Sequence, residues 1–436
     1  MQCFGHFKSK HVRLNLFTFI TRVYSSVMKI KHIYWFAYFN ADAPSVRYRA
    51  KYPLQQLKEN NGINFSIVYP GYDHKNLFNF ILVYFSALLF RKKHSVIVFQ
   101  KIYTKGIYAT ALKVLLFFRG NNTLYDIDDA EYTRHPRQTI HYFMKNCSCC
   151  SAGSISLMEY IKNFNSNVFF LTSPVIDHGL SKSKLEKTFT VGWLGFYGAH
   201  RENLMELFFP ALSTINFPLK LKLLGVANET EANEIKSYFL PNPNIIVETP
   251  ISLNWQNEAS IYQTITSFDI EISPLKDTEF NRGKSAFKLK QCLSCGVPVL
   301  GNSVGENNRF LINDVNGYIC EKPDDYLEKL LNIRNAQNGL YKNLSANAKS
   351  TFPMFSMDNY CATFTGCDFS EKMVEEATKQ NQKLIKTGQA KFYLANAENL
   401  PFENEVFNKV FSVNTLYFWE NPALILSEIW RVLQPA

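Results

Sequence analysis

Three cations close together are the strongest candidates for chemistry in this sequence. Arg282, Lys284 and Lys288 follow the apolar run "FDIEISPL", where a predicted strand and loop give way to a helix. Lys288 lies one helical turn after Lys284, and the guanidinium of Arg282 can bind two oxygens at once. The helix N-terminus adds free backbone N–H groups and the positive end of its dipole. The pattern predicts an anion site that can hold a diphosphate; the alternative is a solvated, basic start to a helix.

A second group of candidates lies in the first half of the chain. Asp126, Asp128 and Asp129 follow the stretch "NTLY", at the carboxyl end of a predicted strand. Two aspartates separated by one residue can chelate a divalent cation, but acids at this place also cap the next helix or face a cleft. We expect no bound metal, with Asp128 and Asp129 on the side of an acceptor. Arg47, in "PSVRYR", is a candidate for the anionic part of that acceptor, with a solvated helical turn as the alternative.

The elements that must position these residues follow a β–α pattern twice. The runs "IKHIYWFAYF", "NFSIVYP", "SVIVFQK" and "NTLYDID" alternate with helix-length segments, and the pattern restarts at "FTVGWLGF". Strands separated by helices indicate βαβ units and a parallel sheet. We predict two Rossmann-like α/β domains, at residues 28–177 and 188–360, with a hinge at 178–187. The strand ends of two such domains meet across a cleft, which suits an enzyme with two substrates.

Length, charge and cysteine content narrow the class of protein. At 436 residues the chain is too long for one ordinary domain. Lys and Arg outnumber Asp and Glu by 47 to 37, a net charge of +10 that favours an anionic partner. We expect no nucleic acid, because no recognition module accompanies the charge. Nine irregularly spaced cysteines favour a reducing, cytoplasmic compartment, with the clusters Cys147–Cys150 and Cys292–Cys295 as buried thiols rather than zinc ligands.

Two segments bear on membrane contact. Residues 77–90, "LFNFILVYFSALLF", are too short to span a bilayer and are predicted to form a buried or interfacial helix. Residues 1–27 are basic, with no acid before Asp42, and form either a membrane-surface segment or an extension ahead of a start at Met28. We favour the extension. Peripheral contact with an anionic membrane surface remains an expectation from both segments.

The stretch from Phe268 to Asn316 resembles the donor-binding region of the family 4 glycosyltransferases, which have the GT-B fold. The shared pattern is a strand ending in "PL", a loop, a helix, "GVPVL" and then "VGENN" and "NG". The segments "APSVRYRAKYPLQQL", "LYDIDDAEY" and "VGWLGFYGAHRENL" extend the resemblance over residues 28–360. The resemblance implies that Arg282 and Lys288 are the catalytic diphosphate contacts and that Lys284 joins them.

The same resemblance implies further donor-binding residues. Gly195 and Phe196 match the start of the loop that approaches the phosphates. The two glutamates of the family, eight positions apart, fall on Gly283 and Gln291, so the usual carboxylate contact to the donor sugar is lost, while the amide of Gln291 can still bind a ribose hydroxyl. Gly305 and Glu306 are expected to bind the edge of the sugar or nucleotide. The alternative for Glu306 is a loop carboxylate with no role in binding.

A different resemblance begins near Thr365. The segments "FTGCDFSEKMVEEATKQN" and "KFYLANAENLPFENEVF" resemble the middle of a class I S-adenosylmethionine-dependent methyltransferase, with Asp368 at the position that holds the cofactor ribose. The first strand and glycine-rich loop of that family have no counterpart here, and Asn396 and Asn408 stand where aspartates are expected. We expect residues 365–436 to be an incomplete fragment, from a fusion or a gene-boundary artefact, that does not enclose the cofactor.

These resemblances imply a cytoplasmic enzyme that moves a sugar from a nucleotide-sugar donor to a glycan or lipid-linked acceptor. The reaction would belong to cell-surface glycan or polysaccharide synthesis, and the family implies retention of the anomeric configuration. It would use no resident cofactor, since the nucleotide sugar is a substrate. Two alternatives stay open: an S-adenosylmethionine-dependent methyltransferase, and a non-catalytic nucleotide-sugar or glycan-binding protein, which the missing glutamates favour.

Overall fold

Two parallel six-stranded sheets form most of the molecule, and they confirm the predicted pair of Rossmann-like domains. The computed structural model describes residues 30–71, 74–89, 94–104, 106–251, 253–335, 338–357, 364–382, 390–402, 404, 407, 410, 412 and 419–433. The predicted basic extension at residues 1–27 and the start at Met28 lie outside the described residues.

The first sheet has the strand order β2-β1-β3-β4-β5-β6. Its strands are β1 (His32–Ala37), β2 (Asn64–Val68), β3 (Ser95–Gln100), β4 (Thr123–Ile127), β5 (Cys149–Ala152) and β6 (Val168–Phe170). Its helices are α1 (Pro44–Val46), α2 (Tyr52–Asn61), α3 (His74–Leu89), α4 (Ile107–Arg119), α5 (Arg137–Asn146) and α6 (Ile155–Lys162), with a π-helical turn at Arg47–Lys51 between the first two. Strands β3 and β4 are buried at every position, as their unbroken apolar runs require in a sheet covered on both faces.

The second sheet has the order β12-β11-β10-β7-β8-β9, in which the chain reverses direction across the sheet beside β7. Its strands are β7 (Phe189–Leu194), β8 (Leu219–Leu224), β9 (Ile245–Glu248), β10 (Ile270–Ser273), β11 (Val299–Gly301) and β12 (Gly317–Ile319). Its helices are α7 (Tyr197–Leu207), α8 (Phe209–Ser213), α9 (Glu229–Phe239), α10 (Glu258–Thr266), α11 (Glu279–Arg282), α12 (Phe287–Ser294), α13 (Asn307–Phe310), α14 (Pro323–Asn335) and α15 (Asn338–Ser350). Ligands of such sheets bind where the strand order reverses.

The connection between the sheets is tied to the second domain. Lys182 is buried, and its Nζ lies 2.5 Å from Glu186 and 3.1 Å from Asp269. The domains also bind each other directly, since Lys290 Nζ donates to Thr172 Oγ1 and to the carbonyl of Ser173, each at 2.6 Å. These contacts fix the two sheets so that the carboxyl ends of their strands share one cleft.

A third, small sheet follows these domains. It pairs β13 (Phe364–Asp368) with β14 (Ala390–Leu394) in parallel, and it is accompanied by α16 (Glu371–Gln380) and α17 (Pro422–Val432). The chain up to Met357 still belongs to the larger body, because the N–H of Met357 bonds to Val175 in the connection between the sheets. In the described part of the chain, β13 and β14 have no further strand beside them.

The cysteine clusters are buried free thiols, as the spacing predicted. Cys147, Cys149, Cys150, Cys292 and Cys295 are all buried and unpaired by disulfides. Burial raises the pKa of each of these thiols. Within the described ranges, no three His, Cys, Asp or Glu side chains come together as metal ligands would.

Candidate active site

A cavity of about 600 Å³ lies between the two domains, beyond the carboxyl ends of strands from both sheets. Its wall on the first domain contains Lys101, Asp128, Asp129, Glu131 and Arg134, and its wall on the second contains His200, Glu271, Lys284 and Lys288. We call these the acidic wall and the donor wall. The volume suits a ligand of several hundred daltons.

The donor wall brings Lys284 and Lys288 together, as the sequence predicted. Lys284 Nζ lies 4.5 Å from the centre of the Phe280 ring, and Lys288 Nζ lies 5.1 Å from that of Trp193. In the described part of the chain, neither ammonium forms an ion pair. Burial lowers the pKa of Lys284, and burial together with the charge of Lys284 lowers the pKa of Lys288 to about 7. Such a wall favours an anion that supplies the missing counter-charge.

The other titratable groups on this wall leave its positive charge uncompensated at neutral pH. Glu271 on β10 is buried, its Oε2 has no hydrogen-bond partner among the described residues, and burial raises its pKa to about 8. His200 is also buried, and burial together with the charge of Lys288 holds its pKa far below the usual range. Its ring therefore stays neutral, with Nδ1 3.2 Å from Nδ2 of Asn203.

Gly195 makes room for Lys288 to reach the cavity. A Cβ at Gly195 would lie 2.2 Å from Lys288 Nζ, so no other residue fits there without moving the lysine. Phe196 follows, lines the cavity and is 61 % exposed. Both residues predicted at the start of the phosphate loop therefore lie beside the donor wall.

Arg282 is not brought into the cavity. Its guanidinium faces solvent and pairs with Asp277 through bonds of 2.6 and 2.8 Å. The prediction placed Lys284 and Lys288 on one helical face, with Arg282 beside them, but α11 ends at Arg282, and Ala286 takes a left-handed φ of 52° before α12 begins. Lys284 therefore lies between the two helices, ahead of the one that carries Lys288.

Gly283 and Gln291, the positions that the resemblance aligns with glutamates, do not line the cavity. A Cβ at Gly283 would lie 2.6 Å from the Cβ of Ala130 in the first domain, so a glutamate does not fit between the domains. Gln291 is buried and donates from Nε2 to the hydroxyl of Tyr262 at 3.3 Å. It is absent from the cavity lining, so the structure does not place its amide where a ribose would lie.

Gly305 and Glu306 support the donor wall from behind rather than lining the cavity. The φ of Gly305 is 59°, and a Cβ there would lie 2.7 Å from the carbonyl oxygen of Asn281. The N–H of Glu306 bonds to the carbonyl of Lys284 at 3.3 Å, and its Oε1 accepts from the N–H of Ile155 at the first turn of α6, at 2.8 Å. The pair thus holds the backbone of Lys284 and joins the two domains.

The acidic wall surrounds one buried lysine with carboxylates. Lys101 Nζ lies 3.0 Å from Asp128, 2.7 Å from Asp129 and 3.1 Å from Glu131. Burial alone would lower the pKa of Lys101, but these carboxylates raise it well above its usual value. Burial would likewise raise the pKa of Asp129, yet the charges of Lys101 and Lys284 bring it below its usual range. The predicted acceptor-side residues Asp128 and Asp129 therefore do face the cleft, with carboxylates in excess over cations.

Two other residues singled out in the sequence, Arg47 and Asp126, have their polar groups engaged by the protein itself. Arg47 lies 3.2 Å from Glu258 of the second domain and donates from Nη2 to the carbonyl of Trp255 at 2.9 Å, away from the cavity lining. Asp126 is fully buried and receives hydrogen bonds from Arg49 and from the hydroxyl of Ser151. Neither residue is free to bind an acceptor in this arrangement.

Three further residues of the cavity were not predicted from the sequence: Lys101, Glu271 and Arg134. The sequence could have indicated Lys101 and Glu271, because each is a charged residue at or within an apolar strand. Charged side chains are almost never fully buried unless they are paired. Arg134 stacks on the Phe280 ring at 3.4 Å, a contact between domains that no local pattern reveals.

Asp368 lies at the end of β13, where a ribose-binding acid was predicted. Its Oδ1 accepts the N–H of Ser370 at 2.8 Å, as in an ordinary turn that leads into α16.

Solved structures similar to this chain have the GT-B fold. Sucrose-phosphate synthase from Thermosynechococcus elongatus is 10 % identical, with a TM-score of 0.56, and the match covers 82 % of this chain and 100 % of that one. A glycosyltransferase from Rickettsia africae is 12 % identical, with a TM-score of 0.54, over 82 % and 99 % of the two chains. HepE from Anabaena, solved with UDP, is 10 % identical, with a TM-score of 0.53, over 80 % and 100 %. The GT-B fold therefore extends over most of the chain.

The C-terminal region is similar to a different group of proteins. The model of the family described as "Methyltransferase domain" matches residues 349–436. A putative methyltransferase of Bacillus subtilis, YrhH, is 36 % identical over 67 residues, and an O-methyltransferase of Aspergillus nomiae is 34 % identical over 71 residues. These matches cover 15 to 16 % of this chain, and the chain spans 32 to 36 % of the length of these two relatives.

Proposed function

We propose that residues 28–360 transfer a sugar from a nucleotide-sugar donor to a glycan or lipid-linked acceptor in cell-surface glycan or polysaccharide synthesis. One observation carries this proposal: Lys284 and Lys288 lie on one wall of a cleft between two parallel sheets, and neither has an ion-pair partner among the described residues. We place the reaction in the cytoplasm, at the inner face of a membrane, with retention at the anomeric carbon as the family resemblance implies.

The donor wall supplies what a departing diphosphate requires. Residues 285–289 line the cavity, so the first turn of α12 contributes free backbone N–H groups beside the two ammonium groups. Negative charge grows on the diphosphate as the bond to the sugar breaks, and cations already in place stabilise that charge without rearrangement. We therefore assign the diphosphate to Lys284 and Lys288, with Lys284 in the role first predicted for Arg282.

The acidic wall suits the hydroxyl groups of an acceptor. Carboxylates accept hydrogen bonds from hydroxyls, and Asp128 and Asp129 lie on the opposite wall from the two lysines. Lys101 holds both carboxylates in place through its ion pairs. Their excess negative charge also repels a second anion, so the donor has one preferred side.

Thermal unfolding of the full chain with added ligands tests this proposal. UDP and UDP-glucose, the second of which is bound by HepE in another of its structures, should raise the melting temperature, whereas uridine should raise it far less because it lacks the diphosphate. Equal effects of UDP and uridine, or no effect of either, would contradict the proposal. Donor binding without release of UDP in the presence of a mixture of glycan acceptors would favour the non-catalytic binding protein instead.

A second candidate function is methyl transfer by residues 365–436, which the methyltransferase match favours. We propose that this fragment does not bind S-adenosylmethionine, since Asp368 already caps its own turn and β13 pairs with β14 alone in the described part of the chain. Calorimetric titration of the full chain with S-adenosylmethionine should give no heat of binding. Binding that disappears in Asp368→Ala would establish the fragment as a working cofactor site.

A further inference from the structure

Helices α3 and α4 lie side by side on the outer surface of the first domain. The rings of Phe80 and Tyr108 are 5.3 Å apart, and the hydroxyl of Tyr84 donates to the carbonyl of Ala111 at 3.0 Å. Farther along both helices, Arg119 donates to the carbonyl of Ala87. The two helices therefore run in parallel, with their inner sides on the core and their outer sides on one continuous face.

That outer face is apolar. A side chain that is more than two fifths exposed normally belongs to a polar residue, yet ten large apolar side chains here exceed that fraction. They are Leu77, Phe78, Ile81, Leu82, Phe85, Leu89, Ile107, Val114, Phe117 and Phe118. A contiguous patch of this size marks an interaction surface.

The sequence of the two helices and of the segment between them carries charge of one sign. From His74 to Tyr125 the sequence contains no Asp or Glu. Lys75 is exposed in the first turn of α3, and Arg91, Lys92 and Lys93 follow that helix in sequence. This stretch of the sequence contains apolar and basic residues but no acid. Such a composition complements a surface with anionic groups outside and an apolar interior.

We propose that the outer face of α3 and α4 docks on the surface of a bilayer that contains anionic lipids. Aromatic and leucine side chains along two helices that lie flat can enter the boundary between headgroups and acyl chains, while the lysines and arginines bind the headgroups. None of the helices that the structure describes has both the length and the apolar character of a membrane span. This inference goes beyond the proposed sugar transfer, because it concerns a surface outside the cavity.

The face extends to the rim of the cleft. In a βαβ unit the helix runs back against the strands, so the N-termini of α3 and α4 lie at the same edge as the carboxyl ends of the strands. The hydroxyl of Tyr108, in the first turn of α4, donates to the carbonyl of Ala37 at the end of β1, at 2.8 Å. Phe39, two residues further on, lines the cavity. Docking would therefore bring the cleft opening close to molecules held in the bilayer.

Flotation of the full chain with lipid vesicles tests the docking surface. The full chain should float with vesicles of phosphatidylcholine that contain about 30 % phosphatidylglycerol, and the bound fraction should fall with pure phosphatidylcholine or with added salt. The variant Phe78→Ser/Phe85→Ser/Phe117→Ser should lose binding by about tenfold or more, because three anchors no longer enter the bilayer. All three side chains are exposed and absent from the cavity lining, so folding and UDP binding should be retained.

A matched control removes exposed apolar side chains elsewhere. Leu240, Ile246 and Ile312 of the second domain are 83 %, 52 % and 41 % exposed, and Leu240→Ser/Ile246→Ser/Ile312→Ser should float like the parent. The proposal fails if the parent stays off anionic vesicles, or if the Phe78 triple variant floats as well as the control. It also fails if the parent is a dimer that does not float and the Phe78 triple variant is a monomer. In that case a second copy of the chain would cover the face. None of these outcomes depends on whether the cavity binds UDP.

Discussion

The two walls of the cleft surround their cations in opposite ways. On the acidic wall, Lys101 is surrounded by three carboxylates, and its pKa is raised. On the donor wall, Lys284 and Lys288 have no ion-pair partner in the described chain, and their pKa values are lowered. The ion pairs of Lys101 make it part of the fold, whereas the half-buried Lys284 and Lys288 are the cations that we propose bind a ligand.

The largest loss of stability is expected when Lys101, the cation with three ion-pair partners, is replaced. Lys101→Met removes the ammonium that pairs with three carboxylates, of which Asp128 and Glu131 are buried, and breaking a buried ion pair in this way costs about 3 to 5 kcal/mol of unfolding free energy. Urea unfolding measures the change. Lys162→Met is the control, because Lys162 forms an exposed pair with Glu159 and should shift stability by about 0.5 kcal/mol or less. Equal small effects of both variants would remove the distinction between the walls.

A smaller effect is expected where the walls meet. A methyl group at Gly283 meets the Cβ of Ala130 at 2.6 Å, whereas one at Gly339 meets nothing within 4 Å. Gly283→Ala should therefore destabilise the fold by about 1 to 3 kcal/mol, and Gly339→Ala, within helix α15, should be neutral or stabilising by up to about 1 kcal/mol. Both values come from the same urea series. A neutral Gly283→Ala would mean that the walls are not held this close in solution.

The smallest expected effect is a dependence of donor affinity on pH. The pKa of Lys288 is lowered from 10.5 to about 7, so the free protein loses this proton as the pH rises through 7. A bound diphosphate favours the protonated lysine, so binding takes up a proton and weakens with rising pH, by up to about tenfold per pH unit. Calorimetry with UDP between pH 7.5 and 9, in two buffers of different ionisation enthalpy, measures both the slope and the proton uptake. An affinity that is constant over this range would contradict an unpaired Lys288.

The sequence predicted the two sheets well because parallel strands are buried on both faces and read as unbroken apolar runs. It also placed Lys284 and Lys288 correctly on the cleft, since the end of a strand and the start of a helix fix where such residues point. It did not predict that α11 ends at Arg282, whose guanidinium faces solvent, or that Ala286 takes a left-handed conformation before α12. A non-glycine residue takes that conformation only when tertiary packing imposes it. The partners of Arg47 and Glu306 lie in the other domain, and no local pattern reports such contacts.

Calorimetric titration of UDP into three chains tests the central claim most directly: the parent, Lys288→Ala and Arg282→Ala. The loss of one charge-assisted contact should cost about 1.5 to 3 kcal/mol, so Lys288→Ala should bind UDP roughly 10 to 150 times more weakly. Arg282→Ala removes an equally basic side chain that is exposed and paired with Asp277, and it should bind UDP like the parent. Unchanged affinity in Lys288→Ala, or a comparable loss in Arg282→Ala, would contradict the assignment of the diphosphate to the donor wall.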